Sequence, residues 1–424
     1  MTPSAFELAA IVLGVCALAL WINAVSFKLP LAAWLLITGL AVSAAMAATR
    51  WIFPDAPVVA AYARLVSQVD YPRLVLNFML AYMLFAGAMN VDLGALARRA
   101  WAVGVLASLG TVVTAAIAGA GFWTVCKFAG FPIPLSWALV FGVLISPTDP
   151  IAVIAMTRRS TLQPELQAQL EGEALFNDGV AVVAFKAVTA FAIGSGLDHG
   201  VSLALAEQAA LAAVGGAGLG LVCGFAAVLL IRVVDDWISE TLITVATATA
   251  VYALALHFDL SGPVGVVVSG LVVGSQWAER RMSKVTLRHI HPFWRVLDEG
   301  MNAVLFFLLG VEVWALGGTW SLVWLAVCGP VVVLLARWVA VSIPLSLLPL
   351  AKGERRVNLI NVVTWAGVRG GLPVAMALAL PDVPARQPIL AATFAVVLFS
   401  ILLQSMTTER LALRTGYGHP AAQA

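Results

Sequence analysis

Long runs of apolar residues dominate the chain and alternate with short polar connections. A helix needs about 20 mostly apolar residues to cross a bilayer, and thirteen segments are predicted to do so. A β-barrel is excluded because its strands would be roughly ten residues long with alternating polarity. The predicted spans are 6–25, 30–49, 74–92, 103–126, 133–157, 172–196, 204–231, 238–257, 262–278, 299–318, 321–349, 357–380 and 387–408.

The composition agrees with this pattern. Of the 424 residues, 62% are hydrophobic and 11% charged, whereas soluble domains average about 25% charged residues. A soluble fold has too little interior to bury that much apolar surface, and a net charge of +2 provides no basic surface for nucleic acid. The sequence therefore predicts an all-α integral membrane protein without nucleic-acid partners. It contains no HExxH motif and no convincing nucleophile–base pair, so neither enzymatic activity nor a bound cofactor is predicted.

The positive charges predict the orientation in the membrane. Of the 24 Lys and Arg residues, 16 fall in the C-terminal segment and the loops after odd-numbered spans, and 5 fall on the opposite side. Cytoplasmic loops carry the excess of Lys and Arg. We therefore expect the N-terminus outside and the C-terminus in the cytoplasm of a plasma (inner) membrane.

Two prolines interrupt the fifth predicted span at its centre. Pro147 and Pro150 flank Thr148 and Asp149 in the sequence SPTDP. Because a residue before proline is disfavoured in the α conformation, we expect Ser146 and Asp149 to be extended and two half-helices to meet between them. Backbone groups freed at membrane depth persist only inside protein or beside a wet cavity. The break therefore predicts a binding site, with a simple proline kink as the alternative.

The sixth predicted span begins with polar residues, in the sequence EGEALFNDG. Glu173 and Asn177 lie four residues apart and share one helix face. Asp178 lies about 7.5 Å further along the axis than Glu173. Acidic residues are favoured in a first helical turn, and this accounts for Glu171. Asp178 lies well past the first turn, so a different explanation is required.

The twelfth predicted span is also interrupted. Arg369 stands at its centre among three glycines and a proline, namely Gly367, Gly370, Gly371 and Pro373. Interrupted helices at matching positions of two halves indicate a binding site between inverted repeats. We expect repeats at about 6–196 and 238–408, joined by a linker helix at 204–231, within a single transporter domain, 1–414. Residues 415–424 are predicted to be a disordered cytoplasmic tail.

Three further charged residues lie in apolar segments. Arg337 stands alone in its span and must find an acidic partner, for which Glu173 is the predicted choice. Lys186 is expected to extend toward the outer interface. Glu312 lies near a helix end and is expected to face the interface.

At these residues the chain resembles the sodium/proton exchanger family, specifically the bacterial and archaeal sodium-proton antiporter P type. SPTDPIAV resembles the family's unwound crossing helix, and EGEALFNDG resembles its Asn-Asp helix. SGPVGVVVSGLVVG, FFLLGVEV, WAGVRGGLPVAMALALP and LFSILLQSMT resemble further family blocks in the same order. The resemblance implies the sodium/proton antiporter fold and a homodimer whose protomers each have a dimerisation bundle and a mobile core bundle. It also implies electroneutral exchange of one Na⁺ or Li⁺ for one H⁺.

The resemblance also implies roles for individual residues. Asp178 would carry the cation and the proton in turn, and Asp149 and the main-chain carbonyl of Thr148 would complete the Na⁺ site. Ala174 stands where the family often has a serine that helps to ligate the cation. The residues implied or expected to support the site are Asn177, which would fix the helix crossing, Glu173, Arg337, Arg369 and Ser146.

Two other functions stay open at this point. A K⁺/H⁺ antiporter would use the same frame, and the sequence does not distinguish the alkali cations. A passive cation channel belongs to a different class; interrupted helices also line channels, although no ring-forming filter repeat is visible. Transport assays with each cation in turn distinguish these alternatives.

Overall fold

The computed structural model describes residues 5–53, 57–149, 160–162, 164–194, 199–313, 321–347, 355–416 and 418–420. Within these ranges the chain is almost entirely helical, and some long helices contain a π-helical turn. The helices are α1 (Ala5–Ile22), α2 (Leu31–Ile52), α3 (Pro57–Gln68), α4 (Tyr71–Asn90), α5 (Leu93–Arg98), α6 (Ala100–Phe128), α7 (Leu135–Ile145), α8 (Pro164–Gly194), α9 (His199–Val233), α10 (Trp237–His257), α11 (Gly262–Val273), α12 (Gln276–Glu279), α13 (Lys284–Glu312), α14 (Ser321–Leu347), α15 (Arg356–Ala366), α16 (Leu372–Leu378) and α17 (Arg386–Thr415).

In the described residues, each predicted span contains helical structure. Nine helices in the described part of the chain are long and apolar enough to cross a membrane, namely α1, α2, α4, α6, α8, α9, α10, α14 and α17. Helices α7 and α11 are apolar but shorter, α13 begins with a charged half, and the twelfth predicted span is divided between α15 and α16. The all-helical membrane architecture is therefore confirmed, whereas the count of thirteen spans stays a prediction. Helix α3 was not predicted.

The helices pack in two groups. In the first group, α11 packs against α4, α9 and α10, while α13 packs against α2 and α4. In the second group, α7 packs against α6 and α8, and α14 packs against α6 and α17. Helix α7, which ends at the first break, and the pair α15–α16 on either side of the second break both belong to the second group. Candidate site residues are therefore concentrated in one part of the molecule.

Small residues allow the closest helix contacts. A Cβ atom on Gly142 of α7 would lie 2.0 Å from the carbonyl oxygen of Ala115 on α6. A Cβ atom on Gly39 of α2 would lie 2.3 Å from the carbonyl oxygen of Phe307 on α13. Inside a membrane no hydrophobic effect drives helices together, so close van der Waals packing between small residues has to stabilise the bundle.

A short antiparallel pair joins two distant segments. Strand β1 (Ser160–Leu162) pairs with β2 (Gly418–Pro420), with Thr161 opposite His419. Residues 418–420, within the segment expected to be disordered, thus pair with a segment far away in sequence. For the end of the tail, which lies outside the described residues, disorder stays a prediction.

Candidate functional site

The two interrupted helices meet directly at their breaks. Helix α7 ends at Ile145 and is followed by non-helical backbone, and α15 ends at Ala366, before α16 begins at Leu372. The backbone N–H of Asp149 donates a hydrogen bond to the carbonyl oxygen of Val368, at 2.7 Å. A carbonyl group in the second break thus accepts a hydrogen bond from a backbone N–H in the first break. Within the described residues the segment after α7 therefore contacts the α15–α16 break, whereas the second half of the first interrupted helix lies outside them and the full crossing stays a prediction.

Arg369 closes the end of the first half-helix. Its Nε donates to the carbonyl oxygen of Ile145 at 3.0 Å, and its Nη1 donates to the carbonyl oxygen of Gly367. The side chain is almost completely buried. A cation at a helix C-terminus is favoured by the helix dipole and replaces the hydrogen bonds that the last carbonyls lack. These contacts agree with the expectation that Arg369 supports the site, and its functional role stays a prediction.

Glu173 and Arg337 form the predicted ion pair. Arg337 Nη1 contacts Glu173 Oε1, with side-chain exposures of 3% and 1%. The pair lies beside the second break, because a Cβ atom on Gly367 would come 2.8 Å from Arg337 Nε and 3.0 Å from Arg369 Nη1. Losing one partner of such a pair leaves an uncompensated buried charge and costs roughly 3–5 kcal/mol. This pair connects α8, α14 and the α15–α16 break.

Asn177 connects α8 to the first break. Its Nδ2 donates to the hydroxyl oxygen of Thr148 at 2.8 Å, and its Oδ1 accepts from the backbone N–H of Thr148 at 3.3 Å. Both residues are buried. The amide thus compensates a backbone group that the interrupted helix leaves unpaired. This geometry agrees with the expectation that Asn177 fixes the crossing, and the functional role of Asn177 stays a prediction.

The carboxyl groups of Asp178 and Asp149 lie close enough for like-charge repulsion between them. Both residues are half-buried. Within the described residues, no hydrogen bond or ion pair to the Asp178 carboxyl is found, whereas the neighbouring acid, Glu173, is neutralised by Arg337. Two buried like charges are costly without a counter-charge. The arrangement favours binding of a proton or a cation at Asp178.

Gly370 makes room for this pair of acids. A Cβ atom at this position would lie 2.0 Å from Asp149 Oδ2 and 3.1 Å from Asp149 Cβ. The glycine thus allows the second break to approach the Asp149 carboxyl closely. Carboxylate and hydroxyl oxygens are the hard ligands that alkali cations prefer. The carboxyl groups of Asp178 and Asp149 and the hydroxyl of Thr148 are oxygens of this kind near the first break, and their joint binding of a cation stays a prediction.

One backbone prediction at the site is wrong. Ser146 has φ −70° and ψ −35°, which is α-helical rather than extended. Its backbone N–H and its hydroxyl both donate to the carbonyl oxygen of Val143, at 3.2 and 2.8 Å, and these bonds outweigh the steric preference that the next proline imposes. The chain therefore leaves the helix one residue later than expected. Pro150 lies outside the described residues.

The two peripheral charges differ in outcome. Lys186 is exposed, and its extension toward the outer interface stays a prediction. Glu312, expected at the interface, is instead buried with 7% exposure. Helix α2 covers this end of α13, where the Ser43 hydroxyl donates to the carbonyl oxygen of Val311 at 2.9 Å. The phenol group of Tyr71 lies near the Glu312 carboxyl as well.

Sequence reasoning missed an acid near the site. Asp298 on α13 lies close enough to Asp149 for the two carboxyl groups to repel one another. The buried Asn302 donates to Asp298 Oδ1 at 3.1 Å. Asp298 directly precedes the predicted span 299–318, so the sequence pattern placed its charge outside the membrane. The signal that could have identified it is the acid-to-amide spacing of four residues on one helix face.

Comparison with known proteins agrees with this geometry. Residues 11–414 match the family described as "Sodium/hydrogen exchanger, transmembrane". The Na⁺/H⁺ antiporter NhaP of Pseudomonas aeruginosa is 35% identical over 363 residues, covering 84% of each chain. The Na⁺/H⁺ antiporter NhaH of Halobacillus dabanensis is 32% identical and covers 85% of this chain and 88% of its own.

A solved structure has the same fold. The sodium proton antiporter MjNhaP1 of Methanocaldococcus jannaschii superposes with a TM-score of 0.72 at 19% identity, covering 96% of this chain and 97% of its own.

Proposed function

Because the chain belongs to the sodium/hydrogen exchanger family, we propose that it exchanges Na⁺ or Li⁺ for H⁺ by alternating access. The proposed stoichiometry is one to one, so exchange is electroneutral. The observation that carries this proposal is the Asp178 carboxyl, which lies at the crossing beside Asp149 without a basic partner in the described residues. The family consists of transporters, so no enzymatic reaction is assigned.

The proposed carrier chemistry follows from the cost of burying charge. An ionised carboxylate away from water is unfavourable unless a proton or a cation neutralises it. Asp178 would bind either of them, and Asp149 and the Thr148 carbonyl would complete the oxygen ligands for Na⁺. If the core crosses only when the site is neutralised, each half-cycle carries one ion or the other. Either gradient then drives the opposite flow.

The packing supports a rocking motion of the site. The candidate residues lie in the group formed by α6, α7, α8 and α14–α17, whereas α2, α4, α10, α11 and α13 form the other group. Asp298, on α13, belongs to the group without the candidate residues and lies close enough to Asp149 for like-charge repulsion. A rigid displacement of one group against the other would therefore change access to the site, as in other repeat-built transporters.

Several further properties belong to this proposal. The protein would be a homodimer in the plasma (inner) membrane, surrounded by lipid, with its N-terminus outside and its C-terminus in the cytoplasm. Na⁺ and H⁺ would be substrates, with no resident cofactor. Ala174 is buried on α8 and offers no hydroxyl, so Na⁺ would have one side-chain ligand fewer than in relatives with a serine there.

Competition between proton and cation tests the proposed function. Reconstituted protein should show a Na⁺ half-saturation concentration that rises about tenfold for each unit by which pH falls, wherever the proton occupies the shared carboxyl. The measurement is the dissipation of a preset pH gradient by Na⁺, Li⁺ and K⁺ in turn. A half-saturation concentration independent of pH would contradict the shared carboxyl. A response to K⁺ alone would favour K⁺/H⁺ exchange, and cation flux without proton movement would indicate a channel.

Removing the charge of Asp178 tests the proposed carrier. Asp178→Asn should abolish exchange while the protein stays folded, because an amide neither binds the cation as strongly nor takes up a proton. The matched control is Glu171→Gln on the same helix, whose carboxylate accepts a hydrogen bond from Gln167 at 2.8 Å and has no proposed role in transport. Exchange should persist in the control. Retained exchange in Asp178→Asn would remove this residue from the site.

A further inference from the structure

An apolar groove opens beside the ends of α9 and α11 that carry the basic loops. It has a volume of about 330 Å³. Hydrocarbon and aromatic groups make up nearly all of its wall. The lining residues are Leu93, Leu221, Phe225, Val268, Leu271, Val272, Ser275 and Trp277.

The groove is continuous with the apolar outer surface of α9. Leu221 is 44% exposed, Phe225 is 46% exposed, and Val222 on the same helix is 68% exposed. Phe225 and Trp277 form an edge-to-face pair with ring centroids 5.4 Å apart. Because α9 is one of the nine helices suited to crossing the membrane, lipid chains reach this surface directly.

A guanidinium group stacks on Trp277, one of the residues that line the groove. The Arg281 side chain stacks over the Trp277 ring at 4.0 Å from its centroid, and its Nη1 donates to the carbonyl oxygen of Trp277 at 2.7 Å. Stacking and the single hydrogen bond determine where the cation lies and leave its other donors available. The positive charge is therefore held at the rim of an apolar cleft.

No acidic side chain neutralises this charge in the described residues. Glu279, two residues away, contacts Nε2 of His291 through its Oε1 at 3.3 Å instead. Arg280 and Lys284 add two further positive charges to the same short segment. An anion therefore finds both an oriented guanidinium and a favourable local field at this rim.

From this combination we propose that the groove binds an anionic phospholipid. One acyl chain lies along the apolar wall between α9 and α11, and the phosphate accepts hydrogen bonds from Arg281 at the mouth. The indole of Trp277 separates the two environments, as aromatic side chains do at membrane interfaces. The anionic headgroup is selected over a zwitterionic one because Arg280 and Lys284 leave the surroundings positively charged. This binding does not depend on the ion that the protein transports.

The decisive experiment measures lipid binding to the purified, delipidated full-length protein. Dioleoyl phosphatidylglycerol is titrated and bound copies are counted by native mass spectrometry, with thermal stabilisation as a second readout. Dioleoyl phosphatidylcholine and inorganic phosphate serve as parallel probes. We expect phosphatidylglycerol to bind tightest, and Arg281→Gln to weaken its tightest binding about tenfold, the effect typical of losing a charged hydrogen bond.

Two variants separate the headgroup from the acyl chain. Val272→Phe fills the groove and should displace phosphatidylglycerol while leaving Arg281 in place. Arg288→Gln removes an exposed positive charge from the first turns of α13, outside the groove, and should bind lipid like the wild type. Since Arg281 lies on the surface, Arg281→Gln tests the proposal even if Val272→Phe fails to fold.

Three results would overturn the proposal. Unchanged phosphatidylglycerol binding in both Arg281→Gln and Val272→Phe would show that the lipid binds elsewhere. Equal stabilisation by inorganic phosphate would show that the groove contributes nothing. A Val272→Phe variant that becomes monomeric with unchanged lipid binding would show that a second copy of the chain covers this surface.

Discussion

Single residues at the crossing are constrained by contacts that leave no space. Gly370 lies so close to Asp149 that even a methyl group would overlap its carboxyl oxygen. Arg369, next to it, is held by carbonyl groups from both breaks. The position of the Asp149 carboxyl thus depends on a neighbour more than 200 residues away in sequence.

Gly370→Ala should therefore weaken cation binding without unfolding the protein. The new Cβ atom would lie 2.0 Å from Asp149 Oδ2 and displace that carboxyl group. A displacement of about 1 Å can cost up to roughly a hundredfold, and we expect the Na⁺ half-saturation concentration to rise ten- to a hundredfold. Gly104→Ala on α6 is the control, since its Cβ would meet nothing within 4 Å. A Gly370→Ala variant with wild-type affinity would contradict the proposed role of Asp149.

Helix ends show how local sequence places whole elements. Asp236, Ser261, Ser275 and Ser283 each precede a helix and accept a hydrogen bond from a backbone N–H in its first turn. These are the residue types that favour N-caps. The starts of α10 to α13 are therefore encoded locally. The breaks at Thr148 and Gly367 can also be recognised in the sequence as clusters of proline and glycine. The distant residues that each break contacts cannot be recognised there.

The cap at Asp236 predicts a pH-dependent contribution to stability. The Ser239 hydroxyl donates to this carboxylate at 2.7 Å and the Ser239 backbone N–H at 3.0 Å, and these bonds lower the pKa of Asp236 below its ordinary value of 3.8. Because the pKa is lower in the folded state, the stabilisation is complete above about pH 3.8 and is lost as pH falls through the folded pKa.

Asp236→Ala should accordingly lower the melting temperature at pH 7. The difference from the wild type should shrink as pH falls below about 4. Asp236→Asn is the matched control, because asparagine also caps helices well and has no charge to titrate. The measurement is thermal unfolding in detergent across this pH range. A difference for Asp236→Ala that stays constant with pH would contradict the pKa argument.

At the scale of the whole molecule, two features distinguish parts of the protein. One is the distribution of positive charge across the membrane, and the other is the packing of the helices in two groups. In the predicted topology, 16 of the 24 Lys and Arg residues fall on one side of the membrane. Within the membrane, one packing group contains the site and the other contains Asp298 and the lipid groove. The first division is readable from the sequence. The second depends on which helices pack together.

The proposed orientation predicts which loops a reagent reaches from each side. Lys284→Cys should react with a membrane-impermeant thiol reagent only in inside-out vesicles, and Asp382→Cys only in intact cells. Both positions are exposed loop or helix-start residues. The wild-type protein, with its four native cysteines, provides the background. The reverse labelling pattern would contradict the orientation.

The sequence by itself determined the membrane class, the helical segments, the two breaks and the residues with unexplained intramembrane charge. These depend on hydropathy, proline, glycine and charge, which act over a few residues. The Glu173–Arg337 pair was also predictable, because an isolated intramembrane arginine requires an acid and few acids were available.

Only the tertiary structure decided which acid stays without a basic partner, which backbone groups the breaks exchange, and that Glu312 is buried. It also brought Asp298 near Asp149 and Arg281 to the rim of the groove. The Arg369–Ile145 hydrogen bond joins residues 224 positions apart, and no local pattern specifies such a distance. In a membrane a charge persists only where distant helices supply its partners, so these partners depend on packing.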